Sequence, residues 1–247
     1  MKARQDIKSL FISDCHLGFK HSKAELLLQL LKQYNPENLF LVGDIIDGWE
    51  LSRKSYWENT YSFIIRRIIG MIKRGTRVVY ITGNHDEFLR KYVPNNFGNI
   101  ELVNECVYES ASGHKMLIIH GDIFDQRTAK LGFIYHLGSR AYSYAIWFNN
   151  LYNRYCKRFG LKNCHVSKVL KRNTKKVVNF INNFEDFMVE YTLERGCDSI
   201  VCGHIHHPEI KQVGQVTYYN CGDWVESCSA IVEHLDGKME LVELEIF

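Results

Sequence analysis

Five short apolar runs, each leading into a short polar motif, constrain this chain more than any other feature. Leu10 to Ile12 leads into Asp14-Cys15-His16, Leu39 to Val42 into Gly43-Asp44-Ile45-Ile46-Asp47, and Val78 to Ile81 into Gly83-Asn84-His85-Asp86. Met116 to Ile119 leads into His120-Gly121-Asp122, and Ile200 to Cys202 into Gly203-His204-Ile205-His206. Short apolar runs bounded by turn residues read as buried strands. Parallel sheets gather the carboxyl ends of their strands on one edge, where ligands bind. The pattern therefore predicts five loops on one edge, with their polar side chains in one place.

The intervening chain supports a mainly parallel sheet. A helix from about Lys23 to Tyr34 carries Leu26, Leu27, Leu30 and Leu31 at helical spacing, and another from about Trp57 to Lys73 carries Phe63, Ile64, Ile68 and Met71. Strand–helix alternation implies crossover units. The end of the chain differs. Glu209 to Val213, Val216 to Asn220, Ser229 to Leu235 and Met239 to Glu245 are β-rich runs separated by turn residues, including Asp236-Gly237. Asp-Gly between such runs signals a hairpin, so a second, antiparallel stretch of sheet is expected to pack on the first.

The 247 residues suit a single α/β domain with an insertion. With 3 prolines and no Ser/Gly-rich tract, a flexible linker is not expected. The first residues lack an apolar core, and no run is long and apolar enough to cross a bilayer, so the expected location is cytoplasmic. The 8 cysteines include no C-x-x-C pair and read as small buried hydrophobes rather than a disulfide scaffold.

One segment, about residues 127–187, breaks the alternation. It is helical in period and rich in Phe, Tyr and Trp, and no acidic residue falls between Asp125 and Glu185. Val166, Leu170, Val177, Ile181, Phe184 and Met188 form one stripe, with Lys168, Lys171 and Lys175 opposite. One reading is a packed helical pair with a solvated basic face. The other is an apolar groove for acyl chains, rimmed by Lys168, Lys171 and Lys175 for phosphate or the anionic surface of a membrane. Aromatics interleaved with cations can also stack bases, but no nucleic-acid module is recognisable and no obligate protein partner is evident.

The polar motifs carry a specific chemistry. Phosphate-ester hydrolysis needs negative charge neutralised and a water made nucleophilic, and two divalent cations ~3.5–4 Å apart do both. Asp14 and His16 flank Cys15, so in an extended segment both point to one side, and His204 and His206 repeat that geometry. Asp44 suits a bridging carboxylate, Asn84 offers a neutral amide oxygen, and His120 completes the set. A mixed nitrogen and oxygen shell favours Mn²⁺, Fe or Zn²⁺ over Ca²⁺.

These motifs resemble the calcineurin-like metallophosphoesterase family, whose pattern is D-x-H, G-D-x-x-D, G-N-H-[DE], H-G and G-H-x-H. The resemblance implies a four-layer α/β/β/α sandwich, here with a helical cap insertion. It implies two metal ions, Mn²⁺ first. Asp14, His16, Asp44 and His206 would bind one, and Asp44, Asn84, His120 and His204 the other. His85 would contact the scissile phosphate and act as the acid, with Asp86 holding its ring, and Asn84 would also touch substrate. Within the family, the loops and the basic insert look like enzymes of lipid A synthesis that cleave the pyrophosphate of UDP-2,3-diacylglucosamine. That implies a nucleotide-linked glycolipid substrate and peripheral contact with the inner membrane. A phosphodiesterase or nuclease of the same family, or a catalytically silent scaffold, are the competing readings.

Overall fold

The computed structural model describes residues 4–124 and 187–244. Apart from residues 123, 124 and 187, these lie in one compact unit, Met1–Asp122 with Met188–Phe247. The expected helical insert, with Lys168, Lys171 and Lys175, lies outside the described residues.

Two sheets form the unit. The first has seven strands: β1 (Gln5–Ile12), β2 (Tyr34–Val42), β3 (Arg77–Ile81), β4 (Asn95–Phe97), β5 (Ile100–Val103), β11 (Ser229–Glu233) and β12 (Met239–Glu243), in the order β12-β11-β1-β2-β3-β5-β4. The second has β6 (Glu105–Glu109), β7 (Lys115–Ile119), β8 (Ser199–Cys202), β9 (Glu209–Val213) and β10 (Val216–Asn220), in the order β6-β7-β8-β10-β9. All five motif runs are strands. They do not share one sheet, as the sequence pattern suggested. β1, β2 and β3 are parallel neighbours in the first, whereas β7 and β8 are parallel neighbours in the second.

Burial on both faces explains the continuous apolar runs. Leu10, Ile12, Leu39, Leu41, Val78 and Tyr80 face one core, which they share with helices α1 (Ala24–Gln33) and α3 (Asn59–Ile72). The residues between them, Phe11, Phe40, Val42, Val79 and Ile81, face a second core with Met116, Ile118 and Val201 of the other sheet. The alternation places one core outside the first sheet and one between the sheets. Phe11 stacks on Phe40 with ring centroids 4.8 Å apart, and Tyr108 of β6 meets both rings.

A helical segment at residues 187–194 serves the second sheet. Its Tyr191 hydroxyl donates to Glu105 of β6, as does Arg195 just beyond it. Glu105 pairs with Ile119, and neither belongs to the core between the sheets, so by strand alternation both face outward. Helix, sheet, sheet, helix is the layer order, as the family pattern implied. Among the described residues no helix is long and apolar enough to cross a membrane.

The terminal strands correct the expected second antiparallel sheet. β9 and β10 extend the second sheet, where β10 runs parallel to β8. β11 and β12 form a hairpin that joins β1 antiparallel. Alternation marks a run as a strand but does not name its neighbour. The Asp236-Gly237 turn closes the hairpin, with Gly237 at φ +83°.

Away from the motif loops, one buried network ties the sheets together. The Tyr108 hydroxyl donates to Glu233 Oε2 at 2.8 Å and accepts from Ser9 at 2.8 Å, while the Ala111 N–H donates to Glu233 Oε1 at 2.7 Å. Glu233 is fully buried, so each lost donor leaves charge unsatisfied. Tyr108→Phe is expected to lower stability by about 1–3 kcal/mol in urea unfolding; an unchanged midpoint would show that this network does not hold the sheets.

Candidate metal centre

The five motif loops meet although their strands belong to two sheets. The Asp14 N–H donates to the Gly43 carbonyl and the His16 N–H to the Asp44 carbonyl, which joins the first two loops. The His204 N–H donates to Asp14 Oδ2 at 3.0 Å and the Gly203 N–H to the His120 carbonyl, which brings the second sheet's loops to the first. Close approach requires glycine at two contacts. A Cβ on Gly83 would lie 2.2 Å from Asp44 Oδ1, and one on Gly203 would lie 2.3 Å from Asp14 Oδ2.

Five candidate ligands adopt left-handed backbone: Asp14 (φ 50°), His16 (47°), Asp44 (53°), His204 (68°) and His206 (53°). The extended geometry expected for Asp14-Cys15-His16 and His204-Ile205-His206 is therefore absent. Each ligand instead turns the chain. Such positions cost about 1–3 kcal/mol each and persist where the surroundings over-determine them. Cys15 is buried in the outer core, and burial, with the charges of Asp14 and Asp86, pushes its thiol up.

Two buried carboxylates anchor the cluster. Asp14 Oδ1 lies 3.1 Å from His206 Nε2 and 4.0 Å from His16 Nε2. Asp44 Oδ2 lies 3.4 Å from His120 Nε2 and 4.0 Å from the Nε2 atoms of His16 and His85. The His120 ring is oriented from behind, because its Nδ1 lies 3.0 Å from the Val42 carbonyl and must carry the proton to bond there. The His204 ring meets that of His120 edge-on at 5.2 Å.

Charge sets the titration of these groups. Burial raises the Asp14 carboxyl, but His206 and His120 pull it down to about 2. Asp44 is held well below the usual carboxylate range, its burial outweighed by His120, His16 and His85. Burial lowers His206, yet Asp14 and Asp223 bring it up to about 9. His120 rises well above the ordinary imidazole value for the same reason, with Asp44 and Asp14 beside it.

Asp86 occupies a different place from the one expected. Asp86 does not hold the His85 ring. Its carboxylate accepts from the N–H groups of Ile45 and Gly83 and from the Tyr80 hydroxyl, which staples the second loop to the third. Asp47 takes the ring role. Its Oδ2 lies 3.0 Å from Nδ1 of His16 and 3.0 Å from Nδ1 of His85, the first as a hydrogen bond and the second off the hydrogen-bond direction. Its Oδ1 accepts from the Glu50 N–H and caps α2 (Gly48–Arg53). Burial lowers the His85 pKa, but Asp47 and Asp44 more than reverse this, and His85 stands above the ordinary value. The exposed Trp49 ring covers His85 at 4.2 Å.

Two further groups carried no sequence signal of a role. Asp223, in what reads as a Gly-Asp turn, lies 3.9 Å from His206 Nδ1 while accepting from the Val225 and Glu226 N–H groups. Arg90 pairs with Asp122 and ties the chain after His85 to the chain after His120.

The residues fit metal ions. Among the described residues, Asp14 Oδ1, His16 Nε2, Asn84 Oδ1 and His120 Nε2 are buried without a hydrogen-bond partner. Buried polar atoms are otherwise almost always bonded. Ligand atoms of Asp14, His16 and His206 lie within 4.8 Å of one another, as do those of Asp14, Asp44 and His120. Carboxylate, imidazole and amide donors suit Mn²⁺, Fe or Zn²⁺.

The shifts predict a pH signature for the chelator-treated protein. A raised histidine contributes stability that is full below its unfolded value of 6.5 and is lost as pH rises through its folded value. The thermal midpoint should therefore fall between pH 6.5 and about 9, the window set by His206. Divalent metal should reverse that trend, because ligation needs neutral imidazoles. A chelated protein that gains stability over this range would contradict the assignment.

Residues 7–208 match the model of the calcineurin-like phosphoesterase family. A UDP-2,3-diacylglucosamine hydrolase from Aliivibrio fischeri is 24% identical over 238 residues, covering 92% of this chain and 94% of the relative. One from Neisseria gonorrhoeae is 25% identical over 236 residues, covering 93% and 94%. Among solved structures, an archaeal phosphodiesterase aligns at 12% identity and a TM-score of 0.48, covering 96% of this chain and 100% of that one. With the family model spanning all five motif loops, the chain belongs to the calcineurin-like phosphoesterase family and is a metal-dependent phosphoric-ester hydrolase.

Proposed function

We propose that this chain is a dinuclear phosphoesterase that hydrolyses the pyrophosphate of UDP-2,3-diacylglucosamine or a closely related nucleotide-linked glycolipid. The observation that carries the dinuclear reading is the set of unpartnered buried donors around Asp14 and Asp44. Asp14, His16, Asp44 and His206 would hold one ion, and Asp44, Asn84, His120 and His204 the other. When bound, two divalent cations, Mn²⁺ first, would neutralise the phosphate oxygens and lower the pKa of the attacking water. The substrate reading rests on relatives of that name, alike over more than nine-tenths of both chains.

The remaining work falls to the chain's own residues. His85 keeps Nδ1 at Asp47, and its Nε2 is the nitrogen on the Asp44 side, within 4.0 Å of that carboxylate. Against burial, Asp47 and Asp44 raise the pKa of this ring, which favours its protonated form. Its Nε2 proton can pass to the leaving phosphate oxygen, while Asp47 stabilises the ring's charge. Trp49 over the ring limits its exposure to water. Asn84, whose Oδ1 is buried beside them, would touch both ion and substrate. Lys168, Lys171 and Lys175 would meet the acylated, anionic end of the substrate, at the surface of the inner membrane.

Turnover of UDP-2,3-diacylglucosamine measured beside a small aryl phosphodiester tests this. His85→Ala should cut both by ~10²–10⁴-fold, the usual loss of a general acid, with metal content unchanged. Lys168→Glu/Lys171→Glu/Lys175→Glu should weaken turnover of the glycolipid alone. Hydrolysis of the diester without any of the glycolipid would overturn the substrate reading, and loss of an ion in His85→Ala would overturn the acid role.

A further inference from the structure

The outward face of α3 has no part in the metal centre, yet its composition is one-sided. Tyr61, Ile64, Ile68 and Met71 are buried against the sheet. On the opposite side of the helix run Phe63, Arg66, Ile69 and, just past its end, Lys73. Phe63 is 49% exposed and Ile69 44%, and Trp57 before the helix is 43% exposed. Three large apolar side chains standing in water along one short segment are not scattered single residues.

Cations outnumber acids around them. Lys54, Arg66, Lys73 and Arg74 are exposed and form no ion pair among the described residues. Burial lowers the Arg67 pKa to about 10, and the charges of Arg4 and Arg74 nearby add to that. Arg66 sits over the Phe63 ring at 5.9 Å. The single acid between residues 52 and 77 is Glu58, which accepts from the Tyr56 hydroxyl. Outside that stretch, Glu25 accepts from Thr60 in the first turn of the helix.

We propose that the outward face of α3, with Trp57, docks the protein on an anionic lipid bilayer. Cations attract acidic headgroups, and aromatic and aliphatic side chains among them enter the interfacial layer. A protein partner of matching acidity would also need a rigid apolar counter-surface, whereas these apolar groups are spaced between cations, as at a headgroup layer. The face is linked to the metal centre through α2, since Asp47 at the His16 and His85 rings caps α2, which ends at Arg53 and is followed by Lys54 and Trp57.

The test uses the whole chain and vesicles of phosphatidylethanolamine with phosphatidylglycerol, beside pure phosphatidylcholine. Wild type should co-sediment with the anionic vesicles, less so in high salt. Arg66→Glu/Lys73→Glu/Arg74→Glu and, separately, Phe63→Ser/Ile69→Ser should each weaken that binding by at least ~10-fold. Both variants change only exposed side chains, so thermal midpoints and aryl phosphodiester turnover should stay at the wild-type level. Absence of binding by wild type, wild-type binding by either variant, loss only with Lys168→Glu/Lys171→Glu/Lys175→Glu, or stronger retention of duplex DNA than of vesicles would each overturn the proposal. The vesicles carry no substrate, so failure of the glycolipid reading would leave this result standing.

Discussion

The buried carboxylate of Asp44 is the group on which the rest of the site depends. It is almost fully buried, and its oxygens face Nε2 atoms of three histidines from the first, third and fourth loops. A buried anion must be neutralised or it destabilises the fold. The chain supplies imidazoles rather than arginines, and imidazoles neutralise a carboxylate either by taking a proton or by sharing a metal ion with it. The second choice fits the unpartnered oxygens and nitrogens of Asp14, Asn84, His16 and His120. One carboxylate thus links the stability of the loop cluster to its chemistry.

Everything near Asp44 serves to hold it without extra bulk or freedom. Gly83 leaves space for one of its oxygens, and the His85 N–H donates to that oxygen at 2.8 Å. Asp86 ties the Ile45 N–H beside it to Gly83. The left-handed turns at Asp14, His16, Asp44, His204 and His206 aim short side chains inward from strands of two sheets. Aspartate and histidine tolerate that backbone better than most residues. The ligand types are therefore suited to the turns as well as to the ions.

Much of this was legible in the sequence because burial on both faces leaves a strong mark. The runs before Asp14, Asp44, Asn84, His120 and His204 are β1, β2, β3, β7 and β8, and helices α1 and α3 fall close to their expected spans. The division of the runs between two sheets was not legible, since a buried strand looks the same in either. Asp47 and Asp86 show the same limit at the level of side chains. In the motif reading Asp86 stands beside His85, and adjacency gave it the ring. The fold instead brings Asp47 across from the second loop and points Asp86 at backbone N–H groups. Contacts between loops distant in sequence depend on strand order, which periodicity does not encode.

If Asp44 is shared between two metal ions, the metal content of the protein will show it. Protein loaded with Mn²⁺ and passed through a desalting column should retain two ions per chain by elemental analysis. Asp44→Asn, which keeps the shape and removes the charge, should retain fewer while its circular dichroism spectrum stays that of wild type. One ion or none in the wild type, or two in Asp44→Asn, would contradict the account.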